Sequence, residues 1–188
     1  MVAEKRRAEA LDASLPARVL RTANAPIQHC FLTESVFDIG MGTLVLARGA
    51  TSRYVALSSF LIDVFCLGIK DVTFKSVESE VFEMYIDATD AGSPLVSVDP
   101  SFARKLLRDL AAWSQSVGFA PHRDFAVMER IFGDVSADAS DAVFRFGRDG
   151  KPLYIPSPND DVPLIRRRIA HLQKHLGNDG FGYETAAS

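Results

Sequence analysis

Along residues 27–65 the apolar positions fall in short β-rich runs, broken by glycines and polar pairs. The segments 27–32 and 43–48 read as strands, with Gly40 and Gly42 interrupting the chain between them. A third strand is predicted over 53–63, joined to the second by the hairpin-length connection Gly49-Ala-Thr-Ser52. From Leu57 to Phe65 apolar residues occupy both parities around Ser58, Ser59 and Asp63, the pattern of a central strand covered on both faces. Three antiparallel strands are the expected outcome.

The period then shifts from two toward 3.6. Val77, Val81, Tyr85 and Ala88 recur at helical spacing, with Glu78 and Glu80 in the first turn and Gly92 and Pro94 ending the helix. The next helix is fully punctuated. Asp99 stands at the N-cap and Pro100 at the first helical position; Phe102, Leu106, Leu110 and Val117 form one stripe, and Gly118 lies just past the end. Residues 119–124 read as a turn from which Asp124 caps a short helix carrying Phe125, Met128 and Phe132, closed by Gly133. A hairpin is predicted over 143–155, because Asp149-Gly150 supplies the positive φ angles of a two-residue turn. A last helix follows Asp160-Asp161, with Pro163 early in it, Ile165, Ile169, Leu172 and Leu176 on one face, and Gly177 at its end. One short strand is expected around Phe181 to Tyr183.

Before residue 27 the chain is charged and then alanine-rich. A short helix near Glu4 to Ala13 is compatible with this, but no apolar period requires docking, so residues 1–25 are expected to be a flexible leader. A single α+β domain is expected over 26–177, with 178–188 as a tail. Its architecture is an antiparallel three-stranded meander with helices on one face, plus a C-terminal β-hairpin and helix.

Composition sets the class. The chain has 188 residues, 47% hydrophobic and 24% charged, which supplies one core and excludes a disordered or collagen-like chain. With 21 Lys+Arg against 24 Asp+Glu the net charge is −3, so nothing draws the whole molecule to nucleic acid or an anionic membrane. That average hides an asymmetry. Acids concentrate behind Ser76 and over 134–141, whereas Arg and Lys gather on the hairpin and the last helix. The longest apolar tract, 54–69, is interrupted by Ser58, Ser59 and Asp63 and falls short of the ~20 residues a membrane helix needs. The charged N-terminus lacks the apolar stretch of a secretory signal. A cytoplasmic location without a membrane partner is expected. Cys30 and Cys66 are too few for a disulfide scaffold and lack zinc-ribbon spacing, so both read as small buried residues.

Three strings carry candidate chemistry. In Asp63-Val-Phe-Cys-Leu-Gly-Ile-Lys-Asp71, a carboxylate inside an apolar strand must find a partner or suffer a raised pKa. Either Asp63 accepts hydrogen bonds from the turn while Lys70 packs along its stem, or Asp63, Cys66, Lys70 and Asp71 converge in a site. In Gly118-Phe-Ala-Pro-His-Arg-Asp-Phe125, His122 and Asp124 are close enough for the carboxylate to orient the imidazole, although cap and turn roles account for both. The third is a cationic face: Arg166, Arg167, Arg168, His171, Lys174 and His175 on the last helix, with Arg145, Arg148 and Lys151 on the hairpin. It suits phosphate or an acidic partner, with Tyr154 or Phe144 to stack a base, and equally suits an ordinary solvated surface. No phosphate-cradling glycine loop is present, Ser58-Ser59 lacks the glycine flanks of a nucleophile elbow, and no cofactor is implied.

The first two strings, with Phe146-Gly-Arg-Asp-Gly-Lys-Pro-Leu-Tyr154, resemble the signature stretches of a family of bacterial proteins of unknown function, over about Ala25 to Leu176. The resemblance implies a bacterial cytoplasmic protein and carries no activity. Two classes of function follow from the residues. One is a non-catalytic binding module that meets an acidic protein or nucleic acid through the hairpin and basic helix, using Lys70, Arg145, Arg148, Lys151, Tyr154, Arg166, Arg167 and Arg168. The other is a metal-dependent hydrolase or nuclease with Asp63 and Asp71 as ligands and His122 with Asp124 as acid/base or further ligands.

Overall fold

The computed structural model describes residues 14–49 and 53–184. The expected helix near Glu4 to Ala13 and the turn residues 50–52 lie outside them. The chain is α+β. Strands β1 (Ile27–Thr33), β2 (Met41–Arg48), β3 (Tyr54–Asp63) and β4 (Gly68–Glu78) form an antiparallel meander, with the short helix α2 (Val36–Ile39) between the first two. Strand β5 (Leu95–Ser97) adds antiparallel to β1, giving the order β4-β3-β2-β1-β5. The sheet therefore has five strands rather than three. The end of the fourth overlaps the expected helix after Ser76, because Val77 falls on the helical period and Glu78 and Glu80 mimic an acidic first turn. In fact Val77 pairs with Val55 and Glu78 with Tyr54, and helix α3 (Ser79–Gly92) starts one residue later.

Consecutive strand residues point to opposite faces, so a strand buried at every position needs cover on both sides. That is the case over the second half of β2, where Leu44, Val45, Leu46 and Ala47 are all 0% exposed. Leu44 and Leu46 join Phe60, Ile62, Leu106, Leu110 and Phe132 in the main core. This core lies beneath α1 (Leu15–Thr22), α4 (Pro100–Ser116) and α5 (Phe125–Met128) with its 3-10 extension Glu129–Phe132. Val45 and Ala47 instead meet Val55, Leu57 and Phe82 of α3. Helices thus cover both faces, a correction to the one-sided arrangement. The anchor of α3 is Phe82, with Tyr85 and Ile86 beside it, while Val81 stands half exposed.

Helix α4 forms as its punctuation dictates: Asp99 Oδ1 accepts the Ser101 N–H at 2.7 Å, Pro100 opens the helix and Gly118 takes a φ of +98° beyond it. Part of the expected leader is not loose. Helix α1 docks through Val19, which is fully buried, with Leu15 alongside. Asp149 and Gly150 adopt φ angles of +55° and +78° and close one antiparallel bridge, Arg148 to Lys151. The hairpin arms go no further. The Gly147 N–H donates to the Val64 carbonyl and the Leu153 N–H to the Phe65 carbonyl, so the arms clasp the β3–β4 turn instead of each other. Strand β6 (Leu153–Tyr154) then pairs in parallel with β7 (Gly182–Tyr183), and α6 (Val162–Leu176) packs over Cys66, Leu67, Tyr154 and Phe181. No described helix is long and apolar enough to cross a membrane.

Candidate functional site

The β3–β4 turn is the hub. Asp63 Oδ1 accepts the Phe65 N–H at 3.0 Å and the Cys66 N–H at 2.8 Å, which closes the turn locally. Gly68, at φ +73°, lets α4 lie directly on the first residue of β4: a Cβ there would collide with Ser114 Oγ. Behind α4 the chain returns to the sheet, and the His122 N–H donates to the Ile69 carbonyl at 2.9 Å. Helix α6 closes over this loop, with His171 Nε2 2.7 Å from the Gly118 carbonyl oxygen. Three segments distant in sequence thus meet around a cleft of about 210 Å³, lined by Leu67, Ile69, Lys70, Phe119, His122 and Arg168.

Two of the lining cations are held very differently. Arg168 is fixed by Asp160, whose Oδ2 lies 2.5 Å from Nη1, and by the Tyr154 hydroxyl at 3.2 Å. The same carboxylate accepts the Tyr154 O–H and the Ser157 N–H. Burial alone would raise the Asp160 carboxyl, but the Ser157 N–H, Arg168 and Tyr154 outweigh it and hold it below the ordinary carboxylate range. Lys70 has no such partner. Its half-buried ammonium faces Met41 Sδ at 3.8 Å and forms no ion pair with a described carboxylate.

Asp71 and His122 do come together, with Oδ1 3.7 Å from Nε2, and Asp124 Oδ2 lies 4.0 Å from Nδ1. The Asp124 N–H also points at Nδ1 from 3.3 Å, so both ring nitrogens face this chain's own groups. Asp124 makes no side-chain cap; its carboxylate turns to Arg123 at 3.8 Å. Asp63 belongs to the turn and not to the cleft lining. Burial raises its carboxyl above the ordinary value, against the pull of the Cys66, Leu67 and Phe65 amides and the Lys70 charge. Among the described residues no group of three or more His, Cys, Asp and Glu side chains is placed to hold a metal ion. The Cys66 thiol is 0% exposed and pushed up by burial, and the Cys30 thiol is pushed up to about 12 for the same reason, so neither supplies a thiolate.

The expected cationic face divides. Successive helix residues are 100° apart, so Arg166, Arg167 and Arg168 cannot share a direction. Arg166 and Arg167 point to solvent with Lys174, whereas Arg168 turns inward. Arg145 and Lys151 are exposed, and Arg148 pairs with Glu184 at 3.5 Å while lying over the Phe65 ring. Tyr154 is fully buried and cannot stack a base; Phe144 packs among Phe37, Phe102 and Phe146. Asp160 stands upstream of the cationic helix, where an acid is expected to balance it; that it pairs with Arg168 in particular, eight residues on, follows from no local spacing rule.

Fold and site together define an α+β protein with a cationic cleft at the turn of its sheet. No family model, no curated protein and no solved structure matches the chain.

Proposed function

We propose that the protein is a non-catalytic binding module that receives an acidic partner on the outer stripe of α6. The observation that carries this is the composition of that helix: Arg166, Arg167 and Lys174 are exposed, and Val162–Leu176 contains no carboxylate. None of the three forms an ion pair with a described residue, so their charge is available to a partner. Arg145 and Lys151 are likewise exposed, near the Asp149-Gly150 turn. An acidic protein surface is favoured over nucleic acid because Tyr154 is buried and Phe144 is packed among other rings, leaving those two residues no stacking role. The resemblance of the three motif strings to a family of bacterial proteins supports a bacterial, cytoplasmic setting for this binding. A catalytic reading has less behind it: Asp63 caps a turn, and His122 Nδ1 faces the Asp124 N–H.

The test is retention on a polyanion column under a salt gradient, wild type against Arg166→Ala/Arg167→Ala. Arg168 is left intact because it holds α6 in place. The variant is expected to elute at clearly lower salt. Co-elution would remove the helix as the contact surface, and tight retention of the wild type by single-stranded DNA but not by polyglutamate would overturn the choice of an acidic protein.

A further inference from the structure

The cleft beneath α6 is a second feature, independent of the outer stripe. A lysine removed part-way from water ordinarily finds a carboxylate, because desolvating an unpaired ammonium is unfavourable. Lys70 finds only a thioether. Facing the same space, Arg168 uses Nη1 for Asp160 and Tyr154, while Nε and Nη2 have no hydrogen-bond partner among the described residues. The guanidinium is held in place by partners that do not use all its donors, which is how an oriented anion receptor is arranged. The floor differs in character: Leu67 and Ile69 are buried apolar residues, and Phe119 adds a ring.

The charge balance narrows the ligand. Asp160 pairs with Arg168, and Lys70 is the lining lysine that makes no ion pair with a described carboxylate. Asp63 and Asp160 both feel the Lys70 charge through space, but Asp63 is bonded to the turn amides and Asp160 to Arg168, Tyr154 and the Ser157 amide, and neither pairs with Lys70. His122 is faced by Asp71 and Asp124. Those two carboxylates beside His122 disfavour a dianion, so a small monoanion suits the two cations better. The volume, about 210 Å³, is below the ~300–1,000 Å³ of sites for drug-sized ligands. We propose that this cleft binds a small organic carboxylate, its oxygens on Lys70 Nζ and the unused side of the Arg168 guanidinium and its short apolar body on Leu67, Ile69 and Phe119.

The experiment is thermal denaturation and calorimetric titration of the full chain with acetate, propionate, butyrate and inorganic phosphate, at constant ionic strength. Butyrate and propionate are expected to raise Tm saturably and more than acetate, as the apolar floor requires, with phosphate weaker. Lys70→Met keeps the stem and removes the charge; it is expected to weaken butyrate binding at least about tenfold, the scale of a lost charged hydrogen bond. Arg166→Ala/Arg167→Ala is expected to leave butyrate binding unchanged, so the cleft and the outer stripe fail separately. Absence of saturable binding by any carboxylate, a preference for phosphate, or full binding by a folded Lys70→Met variant would each overturn the assignment.

Discussion

At the scale of single residues, Asp63 shows how a carboxylate that looks catalytic in sequence is accounted for by the turn it closes. It is 4% exposed, and its Oδ1 accepts two turn amides. Because burial raises its carboxyl in the folded chain, the native state binds a proton more readily than the unfolded state does. Its charge therefore opposes folding at neutral pH, and stability on its account rises as pH falls through the folded value. Asp63→Asn keeps an acceptor oxygen without the charge and is expected to match or exceed wild-type stability at neutral pH in urea denaturation. Asp63→Ala strands the amides and is expected to lose about 1–3 kcal/mol. Equal losses in both variants would show that the charge itself is required. This residue was legible because its partners lie two and three positions away. Lys70 was legible only as a cation near Asp63; its lack of a carboxylate partner depends on the β2 neighbour Met41, 29 residues earlier.

Among elements, the boundary between local and distant information is sharp. Helix α4 follows its sequence marks because Asp99, Pro100 and Gly118 act within one turn of the helix ends. The Asp149-Gly150 turn forms for the same reason, yet its arms pair with the β3–β4 turn, a partner some eighty residues earlier that no turn rule points to. The seating of α6 is less local, resting on Arg168, Asp160 and Tyr154 around a helix whose ends, apolar face and cations were readable but not this pairing. The held-down Asp160 carboxyl gives this joint a pH signature. A depressed carboxyl stabilises the fold above its unfolded value near 3.8, and that contribution is lost as pH falls through the folded value. Asp160→Asn is expected to be roughly 1–3 kcal/mol less stable than wild type at neutral pH, the scale of a charged hydrogen bond, since side chains 11% and 22% exposed are only partly screened. The difference is expected to shrink toward zero in acid. A gap constant down to strongly acid pH would show that packing alone seats the helix.

For the whole molecule, a buried cation ties the sheet to the segment that follows helix α1. Arg48 ends β2 at 4% exposure; Nη1 donates to the Ala25 carbonyl at 2.5 Å and Nη2 to the Phe132 carbonyl at 2.6 Å. Sheet, α1–β1 connection and the 3-10 turn after α5 are thereby tied at one point. Sequence reading placed Arg48 at a strand end, where an arginine is ordinarily solvated, because the two carbonyls that claim it are 23 and 84 residues away. The tie also carries a cost. Nε has no partner, and burial draws the guanidinium below its ordinary value. Removing the cation relieves that burial but strands two carbonyls, each worth ~1–3 kcal/mol when left unsatisfied, so the carbonyl loss is the larger effect. Arg48→Met, which keeps the apolar stem, is expected to lower the urea midpoint and to open the 14–26 segment to limited proteolysis before the sheet unfolds. Unchanged protection of that segment would mean that Val19 and Leu15 hold α1 down by apolar contact alone.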